Sequence, residues 1–162
     1  MRRFALLFAT ILVFLFAAEL TPPGQAWVVA PWTSIVARTA AAAAGLVDPS
    51  VMLDGATLLS TSTGFAVTIL AGCNGLEATI VLIAAVLAYP APWRSRLIGL
   101  AAGSAAIALL NLVRVVSLFY IGQWSPTVFE WAHLYVWQVL IMLDALIVWL
   151  VWLRTLPRAA AR

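Results

Sequence analysis

Four stretches of the chain stay apolar for about the length that a bilayer demands. Phe4 to Leu20 is broken only by Thr10 and Glu19. Gly75 to Tyr89 carries Glu77 and Thr79 and is closed by Pro90 and Pro92. Leu97 to Tyr120 carries Ser104, Asn111, Arg114 and Ser117, and Trp131 to Leu153 carries His133, Gln138 and Asp144. A helix crossing the hydrocarbon layer needs about 20 such residues, so the pattern predicts four transmembrane helices. Between the first two lies Trp27 to Val47. There Trp32, Ile35, Val36, Ala40, Ala43 and Leu46 recur at helical spacing, with Thr33, Ser34 and Arg38 elsewhere on the wheel. Pro31 suits a first helical turn. This segment reads as an amphipathic helix lying in the outer interface. From Pro49 to Cys73 the period shortens. Phe65, Val67 and Ile69 alternate with Ala66, Thr68 and Leu70, as in a strand. Thr61 to Gly64 supplies a turn and Val51 to Ser60 a partner strand, giving a small β-hairpin. A free edge of such a hairpin suits an extended peptide by strand addition. The fold class is thus an all-α polytopic membrane protein, one domain over 1–162, with an outer amphipathic helix and a hairpin.

Composition agrees with that class. Hydrophobic residues make up 65% of the chain and charged residues 9%, against about 25% charged in soluble domains. The net charge of +3 is too small and scattered for nucleic-acid binding. Position matters more than amount. Arg2 and Arg3 precede the first span, Arg94 and Arg96 join the second to the third, and Arg154, Arg158 and Arg162 follow the fourth. Four spans put all seven on one side, which is the cytoplasmic one, and both termini with them. Were Trp27 to Val47 a span, Arg94 and Arg96 would move outside. Trp93, Trp124, Trp131 and Trp152 sit near span ends, where aromatic rings anchor. The first stretch with Gly24-Gln25-Ala26 also fits a signal peptide; its removal would not reorient the other spans. The single Cys73 excludes an intramolecular disulfide and any zinc site of paired cysteines. No metal or organic cofactor is implied.

Helical rise then places the reactive residues. Cys73 lies 16 residues before Tyr89, Arg114 lies 17 after Leu97 and His133 lies 20 before Leu153. At about 1.5 Å per residue these are heights of about 24, 26 and 30 Å above the cytoplasmic side. A thiol, a guanidinium and an imidazole from three helices therefore share one layer near the outer interface. A thiolate is a strong nucleophile, and neighbouring cations and a helix N-terminus favour its charge. An imidazole can pass protons, and a guanidinium can hold an oxyanion. Asn111 precedes Arg114 by one turn and Glu130 precedes His133 by one turn, each placed to orient its neighbour. Each residue also has a plainer reading. A lone buried cysteine is commonly an inert small hydrophobe. A histidine among Trp131, Tyr135 and Trp137 is commonly an interface anchor. Arg114, costly inside an apolar helix, could simply be neutralised by Glu77, four residues after Cys73. Asp144 lies about 16 Å below His133, too deep to join them.

Ala71-Gly72-Cys73-Asn74-Gly75-Leu76-Glu77-Ala78, Pro92-Trp93-Arg94, Asn111-Leu112-Val113-Arg114-Val115 and Trp131-Ala132-His133-Leu134-Tyr135 together resemble the exosortase and archaeosortase family, most nearly the short exosortase H type. The resemblance covers essentially the whole chain. It implies a cysteine transpeptidase of bacterial inner membranes, with its active site facing the periplasm. The implied substrates are exported proteins ending in a short signal, a transmembrane helix and a basic cluster; for the H type the signal is of the Ile-Pro-Thr-Leu kind. By position Cys73 would be the nucleophile, Arg114 the stabiliser of the transition state or thiolate, and His133 the acid and base. Asn74, Asn111, Glu77 and Glu130 would support them. The implied partners are those exported proteins, membrane lipid and an envelope acceptor. Many family members carry further N-terminal spans that this chain lacks. Two other readings remain at this point. One is a non-enzymatic assembly or transport module, in which Cys73 tolerates change. The other is a thiol-dependent acyltransferase, which would carry an acyl chain on Cys73.

Overall fold

The computed structural model describes residues 2–156; Arg158 and Arg162, which the orientation argument counts, lie outside the described residues. Among the described residues, three helices are long and apolar enough to cross a membrane: α1 (Arg2–Leu20), α5 (Trp93–Trp124) and the run Pro126–Thr155. That last run is α6 (Pro126–Trp131), a π-helical turn (Ala132–Val136) and α7 (Trp137–Thr155). The second expected span is α4 (Leu76–Ala88), apolar but only 13 residues long. It rises about 20 Å, against about 30 Å of hydrocarbon. The chain is thus mostly helical and multi-pass, with three full-length spans and one shorter apolar helix.

α4 is the axis of the bundle and packs against α1, α5 and α7. Its inward residues Ala78, Leu82 and Val86 meet Ile107 of α5 and Ala145 and Trp152 of α7. Alanines on α4 let the backbones approach closely, which is how helices associate where lipid offers no hydrophobic driving force. Trp152 departs from expectation. It is not an interface anchor but a core residue, 6% exposed, and its indole N–H donates to the Ser95 carbonyl at 2.9 Å. Trp93, Trp124 and Trp131 stay 60 to 79% exposed. A ring that can satisfy its N–H on a neighbouring helix gains more from burial than from the interface.

A second layer sits beyond the Cys73 end of α4. A short turn, α2 (Pro22–Gly24), and a π-helical turn (Gln25–Val29) lead into α3 (Ala30–Gly45). The predicted helix is present, but its buried face differs. The buried stripe is Val29, Thr33, Val36, Ala37, Ala40 and Ala44, while Ile35 and Leu46 point outward at 53 and 88% exposure. The wheel put Thr33 off the apolar face. It is buried because its hydroxyl is satisfied, donating to the Val29 carbonyl at 2.8 Å and accepting from Asn74 at 2.9 Å.

The expected hairpin is a three-stranded meander, β1 (Val51–Asp54), β2 (Thr57–Ser60) and β3 (Ala66–Thr68), in the order β1-β2-β3. Val51 to Ser60 is not one strand. It folds back at Gly55, whose φ of 60° permits the tight reversal, so that Asp54 faces Thr57 and Val51 faces Ser60. The second turn falls at Thr61 to Gly64, as expected, and pairs Leu58 with Val67. Leu58 of the sheet, Val36, Ala37 and Ala40 of α3, Ile69, and Val115 and Phe119 of α5 form a second core. This core fixes the sheet and α3 over the end of the bundle, and the strand leaving it runs into Cys73.

Candidate active site

The segment Gly72-Cys73-Asn74-Gly75 links the sheet to α4, and three bonds hold it from both sides. The Asn74 side-chain oxygen accepts from the Leu76 N–H at 3.0 Å, an Asx turn that leads into α4. Its amide donates to Thr33, and its main-chain carbonyl accepts the Trp32 indole N–H at 3.0 Å. Asn74 is 1% exposed, so losing it would leave buried partners unpaired. Asn74→Ala is expected to lower stability by about 1–3 kcal/mol, read as a shifted midpoint in denaturant titration of the detergent-solubilised protein. Gly75 is required for a different reason. Its φ is 77°, and a Cβ there would lie 3.0 Å from Cγ of Asn111. Only a glycine lets α5 lie that close to the start of α4.

On this loop Cys73 meets residues from two other elements. Its Sγ lies 3.4 Å from Nε2 of His133, and Nη2 of Arg114 donates to it at 3.9 Å. Arg114, on α5, is 2% exposed. Its guanidinium makes no other hydrogen bond among the described residues, and Nη1 is buried without a partner. His133 sits in the π-helical turn between α6 and α7. Such a turn holds an extra residue and re-aims the side chains beside it, and is common at functional sites. The imidazole stacks on Phe129, with ring centroids 5.6 Å apart and planes 16° from parallel. A cavity of about 130 Å³ opens beside the three groups, walled by Val67 and Thr68 of β3, Ile69 and Leu70 just past it, Leu118 and Phe129.

The remaining expected residues are placed differently. Asn111 does not bond Arg114. It is 1% exposed, packs against Gly75, and has no hydrogen-bond partner for either side-chain atom. Glu77 makes no ion pair with Arg114; it faces a separate cavity between α1, α4 and α7 with Gln138 and Met142. Glu130 is exposed and makes no hydrogen bond to His133 among the described residues. Three contributors escaped the sequence reading. Trp32 and Thr33 clamp the loop, and neither carries a signal apart from its helical position. Phe129 does carry one, lying four residues before His133, the spacing of stacked neighbours on a helix. Among the described residues no group of three His, Cys, Asp or Glu side chains is placed to hold a metal ion.

A thiol, an imidazole and a buried guanidinium, brought together at one end of an apolar helix bundle, define a membrane-embedded protein with a cysteine-centred site. The family model of transmembrane exosortases matches residues 1–153, and the chain belongs to that family. Among curated proteins and solved structures, none matches it.

Proposed function

We propose that this chain is a cysteine transpeptidase or peptidase that cleaves the C-terminal sorting tail of exported proteins. The observation that carries the reading is the pairing of Cys73 Sγ with His133 Nε2 at 3.4 Å, beside a buried arginine with no carboxylate partner among the described residues. A structural arginine would be paired; an inert cysteine would be packed among apolar groups.

The chemistry follows from the geometry. The thiol proton passes to His133 and the thiolate attacks the scissile carbonyl carbon, forming a C–S bond. Charge moves onto the carbonyl oxygen, where the unpaired Nη1 of Arg114 supplies a donor. The C–N bond breaks, and the leaving amine takes the proton from His133. A thioester remains on Cys73. An incoming amine, or water, gives a proton to His133 and adds to the thioester carbonyl. The C–S bond then breaks and the thiolate returns. An amine gives transpeptidation and water gives hydrolysis.

On this reading α4 and the loop before it together make the fourth crossing, both termini are cytoplasmic, and the site faces the periplasm of a bacterial inner membrane. The tail is of the exosortase H kind, with an Ile-Pro-Thr-Leu signal. Co-expression with a reporter bearing that signal, an apolar helix and a basic cluster tests the reading. Acid quenching should trap the reporter's N-terminal fragment on Cys73 as a hydroxylamine-labile adduct, identified by peptide mass. A processed reporter with no such adduct at Cys73 would count against a thioester. The mass of the released product separates transfer from hydrolysis.

A further inference from the structure

The reactive cluster lies at the end of a strand whose outer edge is unused. β3 pairs with β2 on one side only. The Ser60 N–H bonds the Phe65 carbonyl and the Ile69 N–H bonds the Ala56 carbonyl, both at 2.9 Å. These bonds turn the backbone groups of the odd-numbered residues towards β2. Alternation along an antiparallel strand then turns those of Ala66 and Thr68 the other way. Both residues are exposed, and among the described residues neither has a backbone partner on that side. Past the end of β3 at Thr68 the chain runs on to Leu70, whose carbonyl accepts the Cys73 N–H at 3.0 Å. Thr68 of the open edge and the thiol therefore border the same cavity of about 130 Å³.

Two features of that cavity select its ligand. Arg114 is 2% exposed and its Nη1 has no partner; a buried donor left unpaired is costly, so the site calls for an acceptor oxygen. Apart from Thr68, Cys73 and His133 the other walls are apolar, Val67, Val115, Leu118 and Phe129 among them, and leave room for one mid-sized aliphatic side chain. A free row of N–H and C=O groups, one apolar socket and one cationic donor together match a stretch of polypeptide backbone. A lipid would leave the strand edge unpaired.

We infer that the ligand of this site is an extended polypeptide that adds to β3 as a fourth strand. Its backbone pairs with Ala66 and Thr68, one aliphatic side chain fills the cavity, and the adjoining carbonyl turns towards Arg114 Nη1 and Cys73 Sγ. The inference rests on the peptidase reading and adds the conformation of the substrate and the kind of residue beside the reacting bond. It also has a corollary. A helix uses its own backbone groups internally and has none to offer this edge. Any apolar helix that tethers the substrate must therefore end, or be unwound, before the bond that reacts.

Peptidyl chloromethyl ketones alkylate a reactive thiol with loss of chloride and need no acceptor, so they read recognition apart from turnover. The full chain in detergent micelles is treated with Ala-Ala-Ala-Leu chloromethyl ketone, with the same peptide N-methylated at each residue in turn, and with chloroacetone, which carries the same reactive group without a peptide. Alkylation of Cys73 is followed by mass. The parent peptide should react faster than chloroacetone. N-methylation should slow it about tenfold at alternate positions, the worth of one backbone hydrogen bond, and by less than about twofold between them. Thr68→Pro removes an outward N–H and leaves the inward bonds, a change that edge strands accept; it should slow the parent peptide about tenfold. Equal rates along the methylated series in the wild-type chain would overturn strand addition while leaving a peptide preference intact. A parent peptide no faster than chloroacetone would overturn the peptidase reading, and strand addition with it.

Discussion

Cys73→Ala is expected to abolish processing of a reporter bearing the sorting tail, a loss of at least about 10⁴-fold, while the protein accumulates normally. The thiol is partly buried and makes its two side-chain hydrogen bonds through sulfur alone, so its removal leaves the loop's backbone bonds and the Asn74 clamp in place. Cys73→Ser makes the case sharper. A hydroxyl fits the same space but is a far weaker nucleophile at neutral pH, so the serine variant should fail as well. The readouts are reporter size and its release from the membrane fraction, with the amount of each variant in the membrane as control. Processing at the wild-type rate by either variant would remove Cys73 from the chemistry and leave the assembly-module reading in its place.

His133→Ala should slow processing by about 10²–10⁴-fold, the range of a positioned acid–base group. Loss of the Phe129 stack is a competing explanation, and His133→Phe separates the two. Phenylalanine can keep a ring against Phe129 but offers no nitrogen to the sulfur. If proton transfer is the role, both variants are slow, and added imidazole partly restores the alanine variant, where a space is left, and not the phenylalanine variant. If the ring serves only packing, His133→Phe retains most of the rate. That result would withdraw His133 from the mechanism.

How far the sequence could be read depended on whether a feature lived in a period or in a contact. The long spans around α1, α5 and α7 were legible because an unbroken apolar run has one main explanation. The meeting of Cys73, Arg114 and His133 was legible as a shared height, since helical rise is fixed, but not as a contact, since rise says nothing of rotation. The π-helical turn at Ala132–Val136 shows why. It adds a residue within an otherwise regular helix, and no periodicity reports it, yet His133 lies within it. The strand break at Gly55 was missed because Val51 to Ser60 passes as one apolar strand, and a single glycine inside it also reads as a bulge. Thr33 was assigned to the wrong face because a hydroxyl counts as polar on a wheel, whereas its partner Asn74 lies 41 residues away. Asn111 was given the partner nearest in sequence, Arg114, and meets Gly75 of another element instead.

The brevity of α4 has a bearing on which proteins such a thiol can meet. If Pro90 marks the cytoplasmic edge of the hydrocarbon layer, as the proposed topology has it, the 13 residues of α4 stop about 10 Å short of the far side. On the proposed topology, the loop at that end of α4 would then lie below the level reached by α5, with 32 residues. A folded protein drifting in the aqueous compartment rests on the lipid headgroups and cannot lower its backbone into such a recess. A chain already embedded by its own apolar segment passes that depth by default. Trespassers would thus be turned away by a ruler rather than by a password. Discrimination between exported proteins with and without a membrane anchor would be set by geometry before any side chain is read.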